Sequence, residues 1–459
     1  AGPTLNAVIE INPQALAIAK ALDAERRDKG PRGPLHGIPV LLKDNIDTGD
    51  AMATSAGSLA LTGIPPASRD SEVARRLRAA GAVILGKTNL SEWANLRSTR
   101  SSSGWSGRGG QTKNAFALER SPCGSSSGSG TAVAANFAPL AVGSETDGSV
   151  VCPASVSALV GLKPTIGLVS RRGIIPISAS QDTAGPMSRS VTDAALLLQA
   201  MAGFDAEDPA TTTLVKHPVP DYLASLKPGA LKGVRLGVVR QFGGFHEGVD
   251  AVFETALATL KSAGAVIVDP VVLPHQGRYD ADELTVLLYE FKDGLNRYLA
   301  TRPNAPKDLA ALIAFNRAHA ATELPYFQQE LFEQAQAKGP LTEAAYRKAR
   351  ARSQRLAGPE GILAVLKTQR LDALVAPTIG AAWPIDLVNG DHFLGGGAST
   401  APAVSGYPHL TVPMGALHGL PLGLSLMAGP WSEAQLLAYA YAFEQAAVPR
   451  PVAPLSAAR

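Results

Sequence analysis

Three short segments of this 459-residue chain carry side chains that could do nucleophilic chemistry together. In Gly37-Ile-Pro-Val-Leu-Leu-Lys43-Asp-Asn-Ile a lysine ends an apolar run, so its stem would pass through the core. A buried ammonium is costly, and a lysine held there gives up its proton and becomes a base. The second segment, Ser121-Pro-Cys-Gly-Ser-Ser-Ser-Gly-Ser-Gly130, runs directly into the helical Thr131-Ala-Val-Ala-Ala. Small residues let backbone approach a ligand, glycines permit unusual dihedrals, and the following helix aims free N–H groups at the loop. That is the outline of an anion or oxyanion site. The third segment, Gly143-Ser-Glu-Thr-Asp-Gly-Ser149-Val, follows an apolar strand and delivers a second polar loop. Each segment alone has a plainer reading, since strand-end lysines usually snorkel to the surface and a serine in a Gly-rich loop is usually a turn. It is their ordered conjunction that outweighs it.

Two other motifs compete. Gly81-Ala-Val-Ile-Leu-Gly-Lys87-Thr88 satisfies the P-loop pattern, but its intervening residues are apolar and read as a buried strand, not a phosphate cradle. Gly124-Ser-Ser126-Ser-Gly128 matches the GxSxG elbow, which would make Ser126 a nucleophile needing a histidine. Pro122 and Cys123 precede it in place of a β-branched strand. None of His217, His246, His275, His319, His392, His409 or His418 sits in a Gly-rich acidic loop.

Around these loops, helical periodicity runs over 13–27, 71–80, 131–137, 191–201, 252–263 and 432–445. It alternates with apolar runs at 37–42, 82–85, 140–142, 234–239, 265–268, 371–376, 410–413 and 422–427 that read as buried strands. The alternation predicts an α/β layered fold. Between 281 and 366 the pattern turns helical, with Tyr289, Phe291, Tyr298, Phe315, Tyr326, Phe327 and Phe332 supplying bulk that could cover a cleft or simply form helix core.

Hydrophobic residues make up 46% and charged residues 18%, the balance of a soluble globular protein. The net charge of +3 comes from scattered Lys and Arg, so a nucleic-acid partner is not expected. No run reaches the roughly 18 apolar residues of a membrane span and no signal peptide is visible, which leaves a cytoplasmic location as the default. The chain starts at Ala1, where a leader or N-terminal segment could have been removed. Cys123 and Cys152 form no CxxC or Cys/His cluster and read as free core thiols, with no metal site.

The three segments together resemble the amidase signature family of serine hydrolases. The resemblance continues through Gly161-Leu-Lys-Pro-Thr, Gln181-Asp-Thr-Ala-Gly-Pro, Leu371-Asp-Ala-Leu-Val-Ala-Pro-Thr and Gly406-Tyr-Pro-His-Leu-Thr-Val-Pro. Within the family it is nearest to the bacterial peptide amidases, through Thr54-Ser-Ala-Gly-Ser, Leu90-Ser-Glu-Trp-Ala-Asn, the Cys123-Gly-Ser-Ser-Ser loop and Cys152-Pro. There are departures: the common Gly-Gly-Ser-Ser-Gly-Gly-Ser is here Cys123-Gly-Ser-Ser-Ser-Gly-Ser, and an expected Asn-Pro is Asn114-Ala115. Family members usually carry further N-terminal helices before a segment like Leu5-Asn-Ala-Val-Ile-Glu, so a trimmed N-terminus is expected.

The resemblance implies one domain over 1–459, with a signature core at about 37–190, a helical insertion at about 280–367 and a sheet-completing part at about 368–447. Its sheet would be large, mixed and mostly parallel, with helices on both faces. It implies a Ser-cisSer-Lys triad of Ser149 as nucleophile, Ser125 after a cis Gly124–Ser125 bond, and Lys43 as base, Ser125 lying 24 residues before Ser149. Backbone N–H groups of Thr146, Asp147, Gly148 and Ser149 would form the oxyanion hole, with Ser126 as a supporting hydrogen-bonding serine. Gly124, Gln181, Asp182, Met52 and Trp105 are expected around the substrate pocket from their place near the signature loops, with the helical insertion over the active-site cleft. No cofactor is implied. The expected substrate is a C-terminal peptide amide, releasing ammonia through an acyl-enzyme. Aryl amides, esters and carbamates (urethanes) are alternatives on the same machinery, and an amidotransferase subunit working only in a complex is a rival of another class. A monomer or homodimer is expected.

Overall fold

The computed structural model describes residues 4–455. In chain order the strands are β1 (Val8–Ile11), β2 (Pro39–Lys43), β3 (Val83–Thr88), β4 (Trp105–Ser106), β5 (Gly110–Gln111), β6 (Leu140–Glu145) and β7 (Val160–Lys163). They continue with β8 (Thr183–Ser188), β9 (Arg235–Val239), β10 (Val266–Val271), β11 (Ala373–Pro377), β12 (His409–Leu417) and β13 (Leu420–Met427). β4 and β5 form a small ribbon; the other strands make one 11-stranded sheet in the order β1-β3-β2-β6-β8-β7-β12-β13-β11-β9-β10. Parallel pairing occurs in two groups, β3-β2-β6 and β11-β9-β10. The strands between and outside them pair antiparallel. The expected parallel character is thus local to those groups within a mixed sheet.

Side chains alternate across the sheet, as the two-residue period of a strand requires. Val40 and Leu42, Leu140 and Val142, Leu236 and Val238 all enter one core. Near the sheet edge, α1 (Ala15–Lys29) packs Ala15 and Leu22 against Val83 of β3. The main core is closed by α2 (Glu72–Ala79), α5 (Val191–Met201), α6 (Glu247–Ser262) and α14 (Glu433–Ala446). Leu41 and Ala141 point the other way, against α3 (Ser127–Ala134) and α4 (Val151–Ser155). Both faces are therefore covered by helices, as expected for an α/β layered fold.

The stretch before β11 is helical as predicted: α7 (Asp280–Leu299), α8 (Leu309–Ala318), α9 (Ala320–Glu323), α10 (Glu330–Gln336), α11 (Ala344–Ala357) and α12 (Leu363–Gln369). Phe291 and Phe332 fill its own core with Leu295 and Leu312, against Trp93 of the signature region. Tyr326 stays exposed. A short helix α13 (Thr400–Ser405) then precedes β12. Among the described residues no helix is long and apolar enough to cross a membrane.

The P-loop pattern at 81–88 folds as β3, and Lys87 is buried with its amine on the Ile46 carbonyl and the Thr54 hydroxyl at 2.6 and 2.7 Å. It has no free N–H cradle to offer a phosphate.

Candidate active site

Strand periodicity puts Lys43 on the same face of β2 as Leu41, toward α3 and α4 and away from the main core. The side chain is fully buried. Its amine lies 2.7 Å from Ser125 Oγ, 2.9 Å from Ser144 Oγ and 3.1 Å from the Ser144 carbonyl oxygen. Burial lowers the Lys43 amine to about 7, against the opposing pull of the Asp182 and Glu145 carboxylates. A neutral amine satisfies this setting: two N–H groups for the Ser144 oxygens and a lone pair for the Ser125 hydroxyl. Asn45 also donates to Ser144 Oγ, at 2.9 Å, and holds that hydroxyl in place.

The serine-rich segment crosses from a loop into α3, whose residues are all buried. Each buried hydroxyl there finds a partner. Ser126 Oγ donates to the Ser144 carbonyl at 3.1 Å and accepts from the Ser144 N–H at 3.2 Å. Ser127 donates to the Cys123 carbonyl and Ser129 meets Thr88 Oγ1 at 2.7 Å. The Gly124–Ser125 peptide bond is cis. Gly124 is required by space, since a Cβ there would sit 2.2 Å from Ser91 Oγ. Ser126 thus braces the Ser144 backbone, and among the described residues it hydrogen-bonds to no histidine that could make it a GxSxG nucleophile.

After β6 the chain turns through Thr146-Asp147-Gly148-Ser149 into α4. Gly148 has φ of +77°, a conformation side chains rarely adopt. None of the Asp147, Gly148 and Ser149 N–H groups donates a hydrogen bond among the described residues. Unmade backbone donors in a buried loop are rare, and here they leave an array open to an oxyanion. The turn is braced from below: Glu145 accepts from the Val150 and Val151 N–H groups at 2.7 and 3.0 Å. Thr146 Oγ1 donates to Asp182 at 2.6 Å. Ser149 is 8% exposed, and its carbonyl accepts from the Ser126 N–H at 3.1 Å, docking the two serine loops. No hydrogen bond joins the Ser149 hydroxyl to Ser125; such contacts commonly tighten only when substrate is bound.

A cavity of about 480 Å³ reaches Ser125 and Ser144 to Thr146, and its lining stops short of Asp147, Gly148 and Ser149. Its floor is polar, with Asn45, Ser125, Ser144, Thr146 and Asp182. Ile174, Ile175, Pro176 and Ile177 make an apolar wall, and Tyr298 of α7, packed against the cluster that holds Ile175 and Ile177, lines the same cavity. Burial pushes the Asp182 carboxyl up to about 6, while Thr146 and the Ile177 and Ser178 N–H groups oppose the shift. The cavity's arginines are ion-paired: Arg69 with Glu207, Arg171 with Asp208, Arg172 with Glu72, Arg297 with Asp293 and Arg302 with Asp47.

The Amidase family model matches residues 1–437. The chain belongs to the amidase signature family. It is an amide hydrolase. The crystal structure of native peptide amidase from Stenotrophomonas maltophilia superposes with a TM-score of 0.93 at 56% identity, over 98% of this chain and 92% of that one. A relative from Arabidopsis thaliana is 40% identical over 98% of this chain and 84% of its own length, so the similarity is not confined to bacteria. A glutamyl-tRNA(Gln) amidotransferase subunit from Moorella thermoacetica is 37% identical over 94% of this chain and 87% of that one.

In this amidase the reading of Cys123 and Cys152 as free thiols is overturned: they form a disulfide. Their sequence spacing carries no motif, and only the fold brings the two loops together. The bond sits in an apolar cluster with Val156, Ile379, Ala382 and Trp383. It also occupies the position where the family's usual glycine is replaced by Cys123.

Gly124, Met52 and Trp105, expected from sequence at the pocket, are not in the cavity lining. Met52 is fully buried in the main core, and Trp105 packs edge-on against Tyr326 and Phe327 with Arg97 over its ring. Proximity in sequence to the signature loops did not translate into proximity to the cavity. Gln181 is buried behind the cavity floor, while Asp182 reaches it. Sequence reading missed Asn45 and Ser144, though both sit inside the segments it singled out. It also missed the wall at 174–177, whose residues carry no chemical signature.

Proposed function

We propose that this amidase hydrolyses C-terminal peptide amides and releases ammonia, with Ser149 as nucleophile, Ser125 as proton relay and Lys43 as base. The observation that carries the reading is the buried Lys43 amine, lowered to about 7 and 2.7 Å from the Ser125 hydroxyl. Ser149 Oγ attacks the amide carbonyl; its proton passes to Ser125, and the Ser125 proton passes to Lys43. The tetrahedral oxyanion is held by N–H groups of Thr146, Asp147, Gly148 and Ser149. The proton then returns along the relay to the departing nitrogen, the C–N bond breaks, and ammonia leaves. Water, deprotonated by the same relay, attacks the acyl-enzyme, and Ser149 recovers its proton as the acid departs.

The cavity supports an uncharged substrate end with apolar side chains. Its wall is aliphatic and its arginines are already neutralised by carboxylates. Likeness to the Stenotrophomonas maltophilia peptide amidase favours the peptide amide over aryl amides, esters and carbamates. The disulfide favours an oxidising compartment over the cytoplasmic default.

The test is ammonia release from a capped dipeptide amide by the chain alone, beside an aryl amide and an aryl carbamate. Turnover of the peptide amide with the highest kcat/KM supports the proposal. Turnover of the carbamate alone refutes the substrate class, and ammonia release only with added partner subunits refutes a free-standing hydrolase.

A further inference from the structure

The oxyanion loop is held from above as well as below, and the upper hold comes from the helical segment. Two buried carboxylates on α7 face the loop at 176–182, which lies between α7 and Thr146. Glu290 accepts from Ser178 Oγ at 2.6 Å, the Ser180 N–H at 2.8 Å and Ser180 Oγ at 3.0 Å. Its other oxygen takes the Tyr346 hydroxyl of α11 at 2.5 Å. The Ser178 N–H in turn donates to Asp182 at 2.8 Å, beside that of Ile177, and the other Asp182 oxygen holds Thr146 Oγ1. Two helical turns earlier on α7, Glu283 accepts from Gln181 Nε2 at 2.7 Å, and the same amide reaches the Thr146 carbonyl at 3.4 Å.

Thr146 is therefore gripped at its side chain and at its carbonyl by two chains of hydrogen bonds that both end on α7. Buried polar networks of this kind fix a unique geometry when every member is satisfied. The same helix lines the cavity with Gly294, Arg297 and Tyr298. We infer that α7 positions the oxyanion loop, Glu290 acting through Ser178, Ser180 and Asp182, and Glu283 acting through Gln181, on Thr146. These are positioning residues: none touches the reacting atoms. The inference rests on the reading of Thr146 to Ser149 as the oxyanion donors.

A tie that merely fastens α7 to the sheet would change stability. A tie that aims donors changes the transition state, because misplacement by an ångström costs rate while leaving ground-state binding largely intact. The experiment compares Glu290→Ala, Glu290→Gln, Ser178→Ala, Tyr346→Phe and Gln181→Ala in the full chain. It reads kcat and KM on a capped dipeptide amide, melting temperature, and Ki for a peptide aldehyde. The Ser149 hydroxyl adds across the aldehyde C=O, its proton passing to the relay, and leaves a tetrahedral C–O⁻ for the donors.

Glu290→Ala is expected to lower kcat about ten- to hundredfold with KM within about threefold, and to raise the aldehyde Ki by the factor lost in kcat/KM. Glu290→Gln, which keeps an acceptor oxygen, recovers most of the loss. If Glu290→Ala does not fold, the single-hydroxyl deletions Ser178→Ala and Tyr346→Phe decide, with kcat and aldehyde affinity falling together. Variants that melt earlier but keep kcat and aldehyde Ki within about twofold overturn the inference. Ser149→Ala in the same series separates the two claims: if it retains turnover the nucleophile assignment fails, whatever the α7 variants do.

Discussion

The Ser126 N–H donates to the Ser149 carbonyl oxygen across 3.1 Å, and this one backbone bond docks the loop that carries Ser125 onto the loop that carries Ser149, the proposed nucleophile. On either side of it the loops are joined again, by the Cys123–Cys152 disulfide and by Ser126 Oγ on the Ser144 backbone.

The disulfide bridges positions 29 apart in sequence and ties the residue before Gly124 to the first turn of α4. Closing a loop of that length is worth about 3.6 kcal/mol by restriction of the unfolded chain. Reduction, or the pair Cys123→Ser with Cys152→Ser, is expected to lower stability by about that amount. It should also lower kcat more than it changes KM, because the two serine loops lose their covalent register. Urea unfolding and steady-state kinetics with and without reductant measure both effects; identical curves in the two conditions would remove the disulfide from the account.

Activity should follow the Lys43 amine. Its acid-base equilibrium sits near 7 through burial, and only the neutral amine accepts a proton, so kcat/KM rises as pH rises through about 7 and levels above it. A pH–rate profile on a peptide amide checks this. A profile that falls through the same range would assign the base role elsewhere.

Gly148 combines φ of +77° with a virtual Cβ only 3.0 Å from Ser399 Oγ. Gly148→Ala should therefore strain the donor loop directly. The expected outcome is loss of at least about tenfold in kcat with the far-ultraviolet circular dichroism spectrum unchanged. A fully active Gly148→Ala enzyme would show that this loop does not need its present conformation.

How much of this was legible beforehand follows from where the information sits. Lys43 and Ser125, which the fold brings within 2.7 Å of each other, and the Ser149 loop docked beside them could be singled out because residue type, order and spacing all survive in one dimension. Helix α5 was read to its ends at 191–201 because its apolar period is uninterrupted and Ser190 caps it. β8, Thr-Ala-Gly-Pro-Met-Ser, escaped because Gly and Pro hide a strand that is completed by pairing with β6 and β7. The helical segment expected over the cleft does line the cavity, through Gly294, Arg297 and Tyr298 of α7, whereas Met52 and Trp105 were misplaced because side-chain direction across a loop depends on tertiary packing. The disulfide escaped for the same reason.

Arg97 shows the same dependence on tertiary packing. It is fully buried, paired with Glu92, and stacked over Phe327 at 4.2 Å, so it joins the signature region to the helical segment. Removing one partner of a buried pair costs about 3–5 kcal/mol. Arg97→Ala should destabilise by that order in denaturant unfolding, and a change below about 1 kcal/mol would contradict the role of this pair in holding the segment.

The central claim is tested most directly by hydrolysis of a peptide amide by the parent chain beside Lys43→Ala, Ser125→Ala and Ser149→Ala, each shown to be folded. The account predicts ammonia release by the parent and a fall of orders of magnitude in all three variants. Full activity in folded Ser149→Ala or Lys43→Ala would contradict it.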